Sequence, residues 1–342
     1  MRALVYDEFA GPLTVREVAA PDPAPDGVVV QVAASGICRS DWHGWQGHDS
    51  DVVLPHVPGH ELAGTVVATG AGVRLWRAGD RVTVPFACAC GRCPQCAAGD
   101  HQVCPDQQQP GFTHWGSDAQ LVALAAADVN LVRLPDGLSF TAAASLGCRY
   151  ATAFRAVVHR GRVRPGEWLA VHGCGGVGLS AVQIAVAAGA RVVAVDLSPA
   201  ALALAAGLGA EVTIPAGPDV VAAVVAATGG GAHVSMDAVG SATTCVDSIN
   251  CLRPRGRHLQ VGLMPPAQGL PRLPMDRVIG RELDVLGSHG MAAHNYPELV
   301  ALVVAGRLDP VALVTRELSL DEAGDALAAI GTQPGMAVIT TF

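Results

Sequence analysis

The stretch from Trp168 to Asp196 leaves a chain little choice of fold. The apolar run Trp168-Leu-Ala-Val-His172 is too short for a helix and reads as a buried strand. Gly173-Cys-Gly-Gly-Val-Gly178 follows at once, then the alanine-rich segment Leu179–Ala188, which reads as a helix, and then a second strand, Arg191–Asp196. Strand, glycine turn, helix and strand in this order form a parallel crossover unit. Gly173, Gly175 and Gly178 give the G-x-G-x-x-G spacing in the context that makes it informative. The backbone amides of the turn, through Gly176 and Val177, face the start of a helix, where a pyrophosphate is held. Asp196 ends the next strand and suits the adenosine ribose hydroxyls. Its charge opposes a 2′-phosphate, and no arginine occurs between it and Arg253, so NAD is expected rather than NADP.

The same alternation continues. A helix is expected at Pro199–Leu208, with strands near Glu211–Ile214, His233–Asp237, Arg257–Val261 and Leu283–Leu286. These complete a doubly wound parallel sheet. The first 135 residues look different. Strand-like runs such as Val28–Val32 and Leu62–Val67 are cut at short intervals by proline and glycine, as in an irregular β-rich domain. Ala142–Val158 reads as a helix between the two regions. A further helix, Tyr296–Ala305, and strands near Val338–Thr341 return to the first domain. The expected division is 1–150 with 287–342 for one domain and 151–286 for the other.

The chain has 342 residues, half of them hydrophobic, and a net charge of −8. That length suits two domains. The charge leaves no basic footprint for nucleic acid, and no charge run suggests a membrane-binding face. The start, MRALVYDEFAGPL, carries acids and no long apolar stretch, so no signal peptide is expected and the location is read as cytoplasmic. All 22 basic residues are arginine. Schiff-base chemistry on a lysine is excluded, and so is any dehydrogenase mechanism that needs a Tyr-Lys pair.

Cysteines offer another means of activating a hydroxyl. Cys90, Cys93, Cys96 and Cys104 stand at the spacing C-x2-C-x2-C-x7-C. Four thiolates close a tetrahedral site, which fits a structural Zn²⁺. Cys88 offers a fifth thiol, but Cys90 keeps the two gaps equal. Cys38, the pair His60-Glu61 and Cys148 form a second set of ligand types.

Taken in order, the run Gly36-Ile-Cys38-Arg-Ser-Asp-Trp-His43, the motif Gly59-His60-Glu61, the four-cysteine knot, Leu146-Gly-Cys148 and the Gly173–Gly178 turn resemble the zinc-dependent medium-chain alcohol dehydrogenase family. The resemblance covers essentially the whole chain. It implies a two-domain α/β protein, with a GroES-like catalytic domain beside the Rossmann sheet. It implies two zinc ions per subunit, the catalytic one on Cys38, His60 and Cys148 with an open fourth position, and NAD as cofactor. Three ligands and an open position make a Lewis acid, which agrees with that role. Asp41 is expected to orient His60 from behind. Ser40 corresponds to the hydroxyl that takes the alcohol proton, which passes by way of the nicotinamide ribose to His43 and then to solvent. Arg39 corresponds to a pyrophosphate contact. Glu61 either approaches the zinc, as the family implies, or pairs with an arginine.

Phe86 corresponds to a pocket-lining aromatic, and Trp45 and Trp115 are further pocket candidates. Met336 stands where many relatives carry a basic residue that grips the pyrophosphate. The expected partners are a small alcohol or aldehyde and further copies of the chain in a homotetramer.

Overall fold

A computed structural model describes residues 1–264, 270–331 and 333–342. The chain forms two compact units, Met1–Ala151 with Gly290–Phe342, and Thr152–His289.

The first unit is β-rich. Strands β1 (Arg2–Val5) and β2 (Thr14–Glu17) pair antiparallel. A larger sheet contains β3 (Val28–Ile37), β4 (Glu61–Thr69), β5 (Arg81–Thr83), β6 (Leu121–Leu124) and β7 (Val132–Arg133). Val28, Val30, Val32, Leu62, Val66, Val82, Val122 and Leu124 pack together as its core. Strands Val28–Val32 and Leu62–Val67, read from the sequence, are the central pair β3 and β4. The short strands around them carry too few residues to show a period of two, and the sequence reading passed over them.

The helical segment expected at Ala142–Val158 is interrupted. An α-helical turn Phe140–Ser145 runs into a π-helical turn Leu146–Tyr150, then α-helix Ala151–Phe154 and a second π-helical stretch, Arg155–Arg160. An alanine-rich composition gives no sign of where the hydrogen-bond register widens.

The second unit is a six-stranded, wholly parallel sheet. Its strands are β8 (Trp168–His172), β9 (Arg191–Asp196), β10 (Val212–Pro215), β11 (Ala232–Asp237), β12 (Leu252–Gln260) and β13 (Asp284–Gly287). The spatial order is β10-β9-β8-β11-β12-β13. Chain direction across the sheet reverses beside β8, and its carboxyl end carries the glycine turn. This is the switch point where doubly wound sheets bind ligands. The last two strands, β14 (Val314–Ser319) and β15 (Met336–Thr341), belong to the first unit, where β15 pairs with β3. Helix Tyr296–Val304 also lies in the first unit, as does Leu320–Ala328, which the sequence reading did not include.

Candidate metal and dinucleotide sites

The end of β3 presents Cys38 at the start of helix Arg39–Trp45. The start of β4 presents His60 and Glu61, and the π-helical turn presents Cys148. All four side chains are buried, and their ligand atoms lie within 4.8 Å of one another. Asp41 knits the group together. Its Oδ1 accepts from His60 Nδ1 at 2.7 Å and from the Gly59 amide at 3.0 Å, and its Oδ2 accepts from the Cys38 amide at 3.0 Å. A carboxylate only accepts, so the proton on His60 sits on Nδ1. Nε2 of His60 is buried without a hydrogen-bond partner. A buried imidazole nitrogen left without a partner among cysteine sulfurs is what a metal ligand looks like without its ion.

The side chains of the group also act on one another's protonation. The Cys148 thiol donates to Cys38 and holds its pKa well below the usual thiol range, aided by His60. Burial would lower the His60 pKa, but Asp41 and Cys38 overcome it and hold it well above its ordinary value.

Glu61 is held by an arginine. Its Oε1 accepts from the Arg149 amide at 3.0 Å and from Arg149 Nε at 2.8 Å, and Oε2 meets Nη2. Both side chains are buried. Burial pushes the Glu61 carboxyl up, and Arg149 pulls it back. Of the two alternatives for Glu61, the arginine pair is what the structure contains. Arg149 was not picked out from the sequence, although it directly follows Cys148.

Cys90, Cys93, Cys96 and Cys104 form the second group, also within 4.8 Å. Cys93 and Cys96 approach to 3.4 Å, and Cys93 and Cys104 to 3.7 Å. Hydrogen bonds from the Arg92 and Cys93 amides push the Cys90 thiol down to about 7. Cys88 stands outside the group. It is buried, its thiol donates to the Pro85 carbonyl at 3.4 Å, and burial pushes it up to about 12. Four thiols at these separations fit Zn²⁺ and leave no position open.

In the second unit, Gly173 has φ +95°, in the left-handed region. A Cβ on Gly178 would come within 1.7 Å of the Gly173 carbonyl, so only glycine lets helix Gly176–Ala187 start so close to the turn. Asp196 Oδ2 accepts from the Cys174 amide at 2.6 Å, and Oδ1 accepts from the Ser198 amide at 2.8 Å. The acid is thereby fixed against the glycine turn, half-buried. Arg191 and Arg253, the arginines nearest in sequence, are engaged elsewhere. Arg191 opens β9, pairs with Glu211 at 2.5 Å and lies over the Trp168 ring. Arg253 meets His233 at 2.7 Å, near the amino ends of β11 and β12.

Residues 24–136 match a family described as the alcohol dehydrogenase GroES-like domain, and residues 176–305 match the zinc-binding dehydrogenase family. An alcohol dehydrogenase of Geobacillus stearothermophilus is 38% identical over 274 residues, covering 79% of this chain and 80% of that relative. The chain belongs to the zinc-dependent medium-chain alcohol dehydrogenase family. Solved structures place this dehydrogenase in the same company. Alcohol dehydrogenase TADH from Thermus sp. ATN1 superimposes with a TM-score of 0.91 at 32% identity, with 100% of both chains covered. A structure described as an NAD-dependent alcohol dehydrogenase gives 0.90 at 33% identity, again over 100% of both chains.

Other residues singled out from the sequence of this medium-chain dehydrogenase are placed as follows. Phe86 clusters with Cys38, Ala87 and Cys148, edge-on to His60 at 6.1 Å between ring centroids. Phe112 lies nearer His60, at 5.2 Å, and went unnoticed because its own stretch carries no motif. Trp45 and Trp115 are not in the buried cluster of Cys38, Phe86, Ala87 and Cys148, and each indole N–H meets a backbone carbonyl. Trp45 donates to the Gly11 carbonyl and packs near Tyr6 and Phe112, and Trp115 donates to the Pro55 carbonyl. Ser40 is half-buried in the first turn of helix Arg39–Trp45, and His43 is in its last turn. The Arg39 guanidinium lies over Trp42 at 4.2 Å and donates to the Ile330 carbonyl. Met336 is buried at the start of β15.

Proposed function

We propose that this dehydrogenase catalyses reversible hydride transfer between a primary or secondary alcohol and NAD, giving an aldehyde or ketone. One observation carries the reading: Cys38, His60 and Cys148 converge, buried, with the His60 Nε2 atom lacking a partner. Zinc held there supplies a Lewis acid that makes a coordinated hydroxyl far more acidic. The protein's own groups do the rest. Asp41 fixes the tautomer and direction of His60. Ser40 takes the hydroxyl proton of the alcohol, and His43 releases it to solvent. Phe86 and Phe112 form an apolar wall beside the group, which suits a small alcohol. Glu61, whose carboxylate lies in the same buried group, is held by Arg149. The knot of Cys90, Cys93, Cys96 and Cys104 takes a second, structural zinc.

The amides from Gly173 to Gly178 cradle the pyrophosphate of NAD, and Asp196 receives the adenosine ribose. Asp196 is held in place, and Arg191 and Arg253 are engaged at the amino ends of the strands, which supports NAD over NADP. Asp196→Ala combined with Leu197→Arg is expected to move the preference towards NADP. Equal or better kcat/KM with NADP in the wild type overturns the cofactor assignment.

An alcohol-and-aldehyde panel followed by NADH absorbance tests the reaction. Sugars and hydroxy amino acids in the same panel cover the second reading, a related polyol, threonine or formaldehyde dehydrogenase. His48, Asp49 and Asp51 favour keeping that reading, because they put polar groups in the loop beside His43.

The homotetramer rests on β13, which pairs only with β12 among the described strands, and on the exposed side chains of Leu270, Ile279 and Val285. Light scattering that shows a monomer at micromolar concentration rejects it. No helix among the described residues is long and apolar enough to cross a membrane. A cytoplasmic location is part of this proposal, and fractionation of cells tests it.

A further inference from the structure

The imidazoles of His43 and His48 meet through their Nδ1 atoms at 2.9 Å. Two ring nitrogens at that distance hold one proton between them, so one ring donates and the other accepts. The surrounding structure maintains the contact. The His48 amide donates to the His43 carbonyl at 3.0 Å, just beyond the last turn of helix Arg39–Trp45. Trp42 stands edge-on to both rings, at 5.1 Å from His43 and 5.7 Å from His48. The two rings differ in setting: His43 is half-buried and His48 is exposed.

We propose that His48 is the outer station of a two-histidine proton exit. The inference rests on the reading of Ser40 and His43 given above. As His43 gains a proton at Nε2, its Nδ1–H bond breaks and an N–H bond forms at Nδ1 of His48. His48 then gives its Nε2 proton to water. No electrons move, and the net change is one proton carried outward. Exchange with water at the two rings restores the starting tautomers.

The charges around the pair favour passage over retention. Burial lowers the pKa of His43, and Arg39 and His48 lower it further, while the Cys38 thiol opposes them. These influences favour loss of a proton from His43 over its retention. The carboxylate beside His48, on Asp49, is engaged with the Asp51 amide at 2.9 Å.

The test compares wild type with His48→Gln for alcohol oxidation at fixed pH and ionic strength, while the concentration of 2,6-lutidine, a buffer whose flanking methyl groups keep it off zinc, is varied. A relay without its outer station should become buffer-dependent. At low buffer, kcat/KM of His48→Gln should fall several-fold and the isotope effect with a deuterated alcohol should shrink, since proton exit then limits the rate. Added lutidine should restore both, and the wild type should not respond to it. NADH affinity and Tm should be unchanged in the variant. A His48→Gln enzyme equal to wild type at low buffer, or slowed but not rescued by lutidine, overturns the inference alone. His43→Gln at wild-type rate overturns the Ser40–His43 route and the inference together. Absence of alcohol turnover in the wild type overturns the functional reading itself.

Discussion

Cys90, Cys93, Cys96 and Cys104 come from one stretch of 15 residues, whereas Cys38, His60 and Cys148 are drawn from three places across 111 residues. The first group needs little beyond its own turns: Gly91 and Gly99 at positive φ, and Cys93 capping the short helix Pro94–Ala97. An ion can gather such a loop, and its binding energy goes into folding. The second group requires β3, β4 and the π-helical turn to be in place first. Its backing, Asp41 and the Arg149–Glu61 pair, is buried and hydrogen-bonded. One group is thus local in sequence, and the other is assembled by the fold. Only the second arrangement leaves a coordination position for a substrate.

Substitutions can break this contrast. Cys148→Ser should abolish alcohol turnover while leaving NADH binding intact, since the Lewis acid and the glycine turn are separate parts. NADH fluorescence beside an activity assay checks this, and wild-type-like turnover in a zinc-depleted variant would remove the catalytic role. Cys93→Ala should act on folding instead. Structural zinc is worth as much as about 10–16 kcal/mol in small isolated fingers, so a large fall in Tm and loss of one zinc per chain are expected. Full metal content with unchanged Tm would show that the knot holds no zinc.

Arg149→Met should leave Glu61 buried and unpaired, at a cost of about 3–5 kcal/mol in denaturant unfolding. Arg149→Met combined with Glu61→Leu should recover most of that loss, and if it does not, the pair is not what stabilises the turn. Asp41→Asn should weaken zinc at the open group about 10- to 100-fold in chelator competition and leave the closed group unaffected. An equal effect on both groups would mean that Asp41 acts through general stability. Cys88→Ala should change least, about 1 kcal/mol of lost packing, with two zinc ions retained. Loss of an ion would return Cys88 to the ligand set.

The parallel sheet was legible because each buried strand ends in a sharp signal. His172 runs into a glycine turn, and Asp196 marks the end of the next strand. The two groups of ligand-type side chains were legible for a similar reason, since few side chains can replace cysteine or histidine at a metal site. Phe112 and Arg149 were not. A phenylalanine beside His60 looks like any core residue, and only the folded π turn brings Arg149 against Glu61, 88 residues away. Strands β1, β2 and β5–β7 are as short as β10 and β13, but they lack the strand–helix alternation that marked those two. Trp45 and Trp115 drew notice as aromatics, and their indole N–H groups meet the Gly11 and Pro55 carbonyls, partners that the sequence does not mark.

The widened turn at Leu146–Tyr150 also bears on how this segment can change over evolutionary time. A π-helical turn holds one residue more than an α-helical turn. Deleting a single residue there would restore ordinary helix and swing everything on one side of the cut by about 100°. Cys148 and Arg149 would then lose their bearing on His60 and Glu61 together. Point substitutions can be sampled along this stretch one at a time. Insertions and deletions cannot, so related chains should keep the spacing from Ser139 to Gly161 fixed even where their residues diverge.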